Sequence, residues 1–386
     1  MSELCPLSDA EFHANAAASK QAPWTDAQDA ILSDAGLADA KAAIASWPGY
    51  AATPLHGLAS LAKEIGVSEV LYKDEGPRFG LGSFKALGGA YAVEQVAASV
   101  GPGAAVCSAT DGNHGRSVAW GAERVGCRCV IFIHATVSEG RKRAIEAFGA
   151  EVRRTVGNYD DSVREAESTA AREGWTVVSD TSYPGYMEIP KAVMQGYEVM
   201  AAEAFDAMDG PPSHIFLQAG VGGMAAAVAA VAKRRFGAAR PWIVLAEPEA
   251  AACWVASYAA GAPSAVGGDL DTIMAGLACG EISLLAWDIL KDHGDAAMTV
   301  PDSAATDEMR RLARPPAGEP AIVAGESAVA GLAGLRAAMS DPDLRSHLGL
   351  DETARVLVFG TEADTDADVY REIVGMSGDE VRSGVS

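Results

Sequence analysis

The run Ser83-Phe84-Lys85-Ala86-Leu87-Gly88-Gly89 sets a lysine at the mouth of a helix, just after the strand-like Glu69-Val70-Leu71-Tyr72-Lys73 and a glycine-bearing connector. An amine placed and desolvated at such a junction loses basicity and can condense with a carbonyl group. Phe84 and Leu87 make the surroundings apolar. Gly88-Gly89 admit a neighbouring element closely, at a helix cost of about 1 kcal/mol each. Two further features could work beside this amine. Val178-Ser179-Asp180-Thr181 ends a strand on a carboxylate. The strand ending at Gln218 runs into Ala219-Gly220-Val221-Gly222-Gly223-Met224 and an alanine-rich helix, where backbone N–H groups and the helix start form an anion site needing no cationic side chain. A tight strand-to-helix turn explains the same glycines. The dinucleotide fingerprint is absent: Glu247 follows the next apolar run, but without a ribose-binding context.

The elements that hold these groups are marked by apolar runs at 104–108, 129–133, 175–178, 214–217, 242–245 and 355–359, with Glu151-Val152-Arg153 as a further strand. Nearly continuous hydrophobic runs separated by helical patterns describe parallel strands buried on both faces, so the fold class is α/β. One intervening helix shows both end signals, Ser138 as N-cap and Gly149 at its close. At 386 residues the chain exceeds what one core usually supports, which predicts two domains and a cleft. Residues 91–190 carry their own strand and helix units, inserted between two flanking pieces, 1–90 and 191–386. The first 50 residues form an N-terminal extension, and the end from Gly378 frays. Trp24, Ile31, Leu32 and Trp47 in the extension need a surface to cover them.

With 49% hydrophobic and 21% charged residues this is an ordinary globular composition. A net charge of −22 opposes nucleic acid and anionic membrane as partners. No run approaches the roughly 20 apolar residues of a membrane span, and Met1-Ser2-Glu3-Leu4-Cys5 lacks a signal peptide's basic start, so a cytoplasmic location is expected. The six cysteines include no CxxC pair, so no metal site is expected.

The stretch from Lys73 to Tyr91 resembles the cofactor-lysine segment of the diaminopropionate ammonia-lyases, members of the fold type II pyridoxal-phosphate family with the threonine dehydratases and the tryptophan synthase β subunit. Three more segments are similar to that family's motifs in order and spacing. They are Thr110-Asp111-Gly112-Asn113-His114-Gly115-Arg116, then Asp180-Thr181 with Gly185-Tyr186, then Gly360-Thr361-Glu362-Ala363-Asp364-Thr365-Asp366. Departures exist: Gly76-Pro77 stands where a serine is usual, and Ala363 and Ala328 stand where glycines are common. The two alanines are expected to line the pocket and to bear on substrate choice.

The resemblance implies two domains, each with a mostly parallel twisted sheet flanked by helices, 91–190 being the smaller and mobile one. It implies pyridoxal 5'-phosphate held by Lys85 with Phe84 and Asn113, its phosphate on Gly220, Val221, Gly222, Gly223 and Met224, and its pyridine nitrogen facing the Thr361 hydroxyl. Such a hydroxyl leaves that nitrogen unprotonated, which favours elimination over transamination. Ser108, Thr110, Asp111 and Gly112 would bind an amino-acid substrate, and Lys85, Asp111 and Asp180 would be catalytic. His114 reads as structural, and the acidic residues from Glu362 onward otherwise read as a solvated turn. The activity implied is α,β-elimination of 2,3-diaminopropionate to pyruvate and two ammonia. A dehydratase or β-eliminase of serine, threonine or a hydroxyaspartate-like acid is the alternative, and a binding module without turnover is one of another class. A homodimer is implied too, as is a possible Cys253–Cys279 disulfide, against which the reducing cytosol favours two thiols.

Overall fold

The computed structural model describes residues 11–110 and 112–384. Among the described residues, eleven strands form two sheets: β1 (Phe12–Ala14), β2 (Leu55–Gly57), β3 (Glu69–Asp74), β4 (Ala105–Ala109), β5 (Arg128–Ile133), β6 (Glu151–Arg154), β7 (Thr176–Val177), β8 (His214–Gln218), β9 (Trp242–Pro248), β10 (Ala296–Val300) and β11 (Arg355–Gly360). The seven-stranded sheet runs β1-β10-β9-β8-β11-β3-β2 and the four-stranded sheet β6-β5-β4-β7. Only the edge pairs β1 with β10 and β2 with β3 are antiparallel. The other pairs are parallel. The α/β class and the mostly parallel sheets therefore stand. The four strands of the smaller sheet fall between 105 and 177, inside the inserted segment, while the larger sheet draws on both flanks.

Each strand expected from an apolar run is present. β1, β2 and β10 are additional. β10 reads Ala-Ala-Met-Thr-Val, and alanine has no strand preference of its own. It becomes a strand through parallel pairing with β9, which buries all five residues.

The helix that begins at the candidate lysine, Lys85–Val100, is wedged between the Asn113–Val125 and Glu188–Asp206 helices. Its glycines make that possible. A Cβ on Gly88 would lie 2.4 Å from Tyr197 Cε1 and 2.7 Å from the Val193 carbonyl, and one on Gly89 1.9 Å from Ser117 Oγ. The Gly223–Phe236 helix is packed on all sides, and a row of alanines from Ala225 to Ala232 lets its neighbours close in.

A buried charge cluster ties the start of this arrangement to its end. Lys73 Nζ is 2.7 Å from Glu203, and Arg78 is 2.7 Å from both Glu75 and Glu203. Two cations face two carboxylates, so the cluster is neutral. Thr53 and Tyr50 supply further hydrogen bonds to it. Glu203 sits on the Glu188–Asp206 helix, beyond the whole inserted sheet in sequence.

The N-terminal extension corrects one expectation. Ile31, Leu32 and Trp47 are buried by their own chain, and Trp24 stacks on His293 with ring centroids 5.4 Å apart. These side chains therefore do not call for a partner. No helix among the described residues is long and apolar enough to cross a membrane, and no group of three His, Cys, Asp or Glu among them is placed to hold a metal ion.

Candidate active site

Lys85 opens its helix after a connector that is laced to the end of β11. Glu75 N–H donates to the Gly360 carbonyl at 2.8 Å, Phe84 N–H to the Thr361 carbonyl at 3.0 Å, and Ala363 N–H to the Gly82 carbonyl at 2.9 Å. The lysine and the threonine are thus fixed relative to each other. Both line a cavity of about 830 Å³. Lys85 Nζ touches the Asp180 carboxylate and lies 5.4 Å from the Phe84 ring centroid and 5.9 Å from that of Tyr197. Desolvation was expected to pull this amine down. Burial does act downward, but the Asp180 charge, Tyr197 and the hydrogen bond to Asp180 together hold it above the ordinary lysine value. Asp180 responds in the opposite sense: burial acts upward, and the Lys85 charge and hydrogen bond overcome it, holding the carboxyl well below the usual range.

His114 stands closer to the chemistry than its sequence suggested. Its Nε2 donates to the Val178 carbonyl at 2.9 Å, so Nδ1 is the lone-pair nitrogen of the neutral ring, 3.9 Å from Asp180. Burial lowers the ring's basicity further. Tyr197, missed by sequence reasoning, is a buried phenol in the same cavity, pushed up by burial.

Asn113 reaches the cavity, and its amide nitrogen donates to Glu362 at 2.5 Å. Glu362 also accepts from Ser327 N–H at 3.0 Å. It is buried, as is Glu326, so Glu362 does not belong to a solvated turn, although Asp368 is exposed. Burial first, then the neighbouring Glu362, pushes the Glu326 carboxyl up to about 8, against the pull of Arg141 at 3.2 Å. Nothing local in the sequence marks these acids as cavity residues. Ala328 and Ala363, expected to line the pocket, are buried outside its lining.

Gly220, Val221, Gly222, Gly223 and Met224 all line the cavity and lead into the Gly223–Phe236 helix. The first N–H groups of a helix have no carbonyl within it to bond, so this start faces the cavity with its donors available. Gly222 has φ +92°, and a Cβ there would lie 2.1 Å from Trp254 Cζ2. Trp254 Nε1 in turn donates to the Gly220 carbonyl at 2.9 Å, which fixes the loop from behind. Thr110 and Gly112 line the cavity, the Thr110 hydroxyl accepting from Gly112 and Gly115 N–H at 3.0 and 3.1 Å. Ser108 does not. It is buried in β4, one step behind the lining. Asp111 lies outside the described residues. Cys253 is a buried thiol donating to the Gly220 carbonyl at 3.8 Å, and no disulfide joins it to Cys279.

The donor set suits pyridoxal phosphate. An amine stands at one wall, a helix start able to take a phosphate at another, and the Thr361 hydroxyl at the end of β11, all on one cavity. The family model described as pyridoxal-phosphate dependent enzyme matches residues 47–361, and the chain belongs to that family, with its fold type II architecture. Within it the similarity is to the diaminopropionate ammonia-lyases. The enzyme of that name from Escherichia coli K12 is 41% identical over 349 residues, covering 84% of this chain and 88% of the relative. The crystal structure of the holo Escherichia coli diaminopropionate ammonia lyase matches with a TM-score of 0.87 at 36% identity, covering 95% of this chain and 97% of that one. A second structure of the same enzyme, in complex with an aminoacrylate-PLP azomethine reaction intermediate, matches with a TM-score of 0.85 and the same identity and coverage.

Proposed function

We propose that this chain catalyses the pyridoxal-phosphate-dependent α,β-elimination of 2,3-diaminopropionate, yielding pyruvate and two ammonia. The observation that carries the reading is the contact between Lys85 and Asp180 on a cavity that the helix start at Gly223 also lines. Bound there, the cofactor supplies the electron sink that makes the Cα proton removable. Lys85 takes that proton from one face of Cα and Asp111 from the other, so both enantiomers react. Thr110 and Gly112 hold the substrate carboxylate. Asp180 delivers a proton to the departing β-amino group. Its environment supports this: once Lys85 no longer bears a positive charge, the chief force keeping Asp180 ionised is gone, and burial drives it to hold a proton. Aminoacrylate then leaves and hydrolyses.

We further propose that the enzyme is a cytoplasmic homodimer, as the family resemblance implies, and that 91–190 moves as a unit against 1–90 and 191–386. Confinement of the smaller sheet to 105–177 supports the division. Steady-state release of pyruvate from a panel of β-substituted amino acids tests the substrate. Diaminopropionate should be turned over best. Good turnover of L-serine or L-threonine with little of diaminopropionate would move the chain to the dehydratase class.

A further inference from the structure

Gln218 ends β8 with its side chain buried in the wall of the cavity. Its amide nitrogen lies 2.7 Å from the Phe359 carbonyl, 2.7 Å from Thr361 Oγ1 and 3.2 Å from the Ala328 carbonyl. Carbonyl oxygens only accept, so the amide cannot be turned round: the nitrogen has to face all three groups. The amide has two protons, and the two nearest acceptors, the Phe359 carbonyl and Thr361 Oγ1 at 2.7 Å each, take them, so Thr361 Oγ1 is an acceptor towards Gln218. A hydroxyl has one proton, and with this bond made from outside, that proton is directed away from Gln218. Thr361 has no other hydrogen-bond partner at Oγ1 among the described residues, and the residue lines the cavity.

We infer that Gln218 is a positioning residue that makes the Thr361 hydroxyl a hydrogen-bond donor to the cofactor's ring nitrogen. This rests on the placing of Thr361 at that nitrogen. A donor there needs a lone pair opposite it, so the pair selects the unprotonated ring. A protonated nitrogen would need Oγ1 to accept a second time and would strand the hydroxyl proton in a buried wall. Gln218 Oε1 has no partner and is buried, a standing cost that methionine at this position would not carry. The amide nitrogen is what the site keeps.

The test is a double-mutant cycle on the full-length enzyme, stripped of cofactor and titrated with pyridoxal phosphate by absorbance. Gln218→Met and Thr361→Val should each weaken cofactor binding about tenfold, and the double variant should be no weaker than either, because both remove one hydrogen bond. Thr361→Ser keeps the hydroxyl and should bring back the full penalty of Gln218→Met. If the methionine variant does not fold, Gln218→Glu keeps the side-chain size and serves in the same cycle. Independent losses that multiply in the double variant, or a Gln218→Met enzyme that binds cofactor like the parent, overturn the inference. An unaffected Thr361→Val enzyme overturns instead the placing of Thr361 on which it rests.

Discussion

Lys85 and Asp180 form an ion pair, and the charge on the amine decides what Asp180 can do. With the amine charged, Asp180 is its counter-ion; with the amine neutral or covalently engaged, the largest influence keeping that carboxyl ionised is removed. Among the described residues Lys85 is also the one lysine on the cavity wall, so borohydride treatment of the holoenzyme should fix the cofactor on it. Peptide mapping that finds the label on Lys73 or Lys191 would sink the assignment. Lys73 is a poor rival, since its amine is already committed to Glu203 and to the Thr53 carbonyl. Asp111→Asn should remove most of kcat for one enantiomer of diaminopropionate, by about 10² to 10⁴ fold as a positioned base contributes, with cofactor affinity unchanged. Equal loss for both enantiomers, or none, would make Asp111 a binding or capping residue. Lys85 and the glycine loop were legible in the sequence because each belongs to a local strand-to-helix pattern, and Thr361 through the motif that carries the family resemblance. Gln218, Tyr197 and His114 were not. Their meaning lies in partners far along the chain, and a glutamine closing a strand or a histidine opening a helix has an ordinary reading nearby.

Among elements, the buried parallel strands were the easiest to read, since burial on both faces leaves an unbroken apolar run. Short edge strands such as β1 and β2 carry no such run, and they exist because β10 and β3 offer them an edge. The extension is held partly by His293, at the end of the Leu284–His293 helix, which stacks on Trp24 and meets Gln28 at 3.3 Å. Burial, then Arg240 and Lys233, lower its pKa from 6.5 to about 4. The folded state therefore keeps this ring neutral while the unfolded chain protonates it near its ordinary value. The stability it contributes is complete above pH 6.5 and is lost as pH falls towards 4, at no more than about 1.4 kcal/mol per pH unit. His293→Phe keeps the stacking and removes the titration. Denaturant melts at pH 7 and pH 5 should show the parent losing stability relative to that variant on acidification, and parallel losses would refute the role of His293.

For the whole molecule, a helix start whose backbone dipoles are able to take a phosphate makes a net charge of −22 compatible with an anionic cofactor. Light scattering at micromolar concentration should give twice the 39.7 kDa of the chain, and a monomer mass would contradict the dimer. Two sheets and a cavity were foreseeable from length and pattern. The covering of the N-terminal extension was not, because apolar side chains do not say in sequence which surface they meet. The buried cluster of Lys73, Glu75, Arg78 and Glu203 reaches further than the local packing it completes. The first three stand just before the chain departs to build the smaller sheet, and the fourth just after it returns, so they clasp the exit to the re-entry. A protease nick at the loop around Val156, which is 96% exposed, would produce two fragments still fastened by those four charges. Mobile ions screen buried pairs poorly, so concentrated salt should not part the fragments. Lys85, on the first fragment, would keep Asp180 and Thr361, on the second, within reach, and the catalytic wall would outlast the continuity of its own backbone.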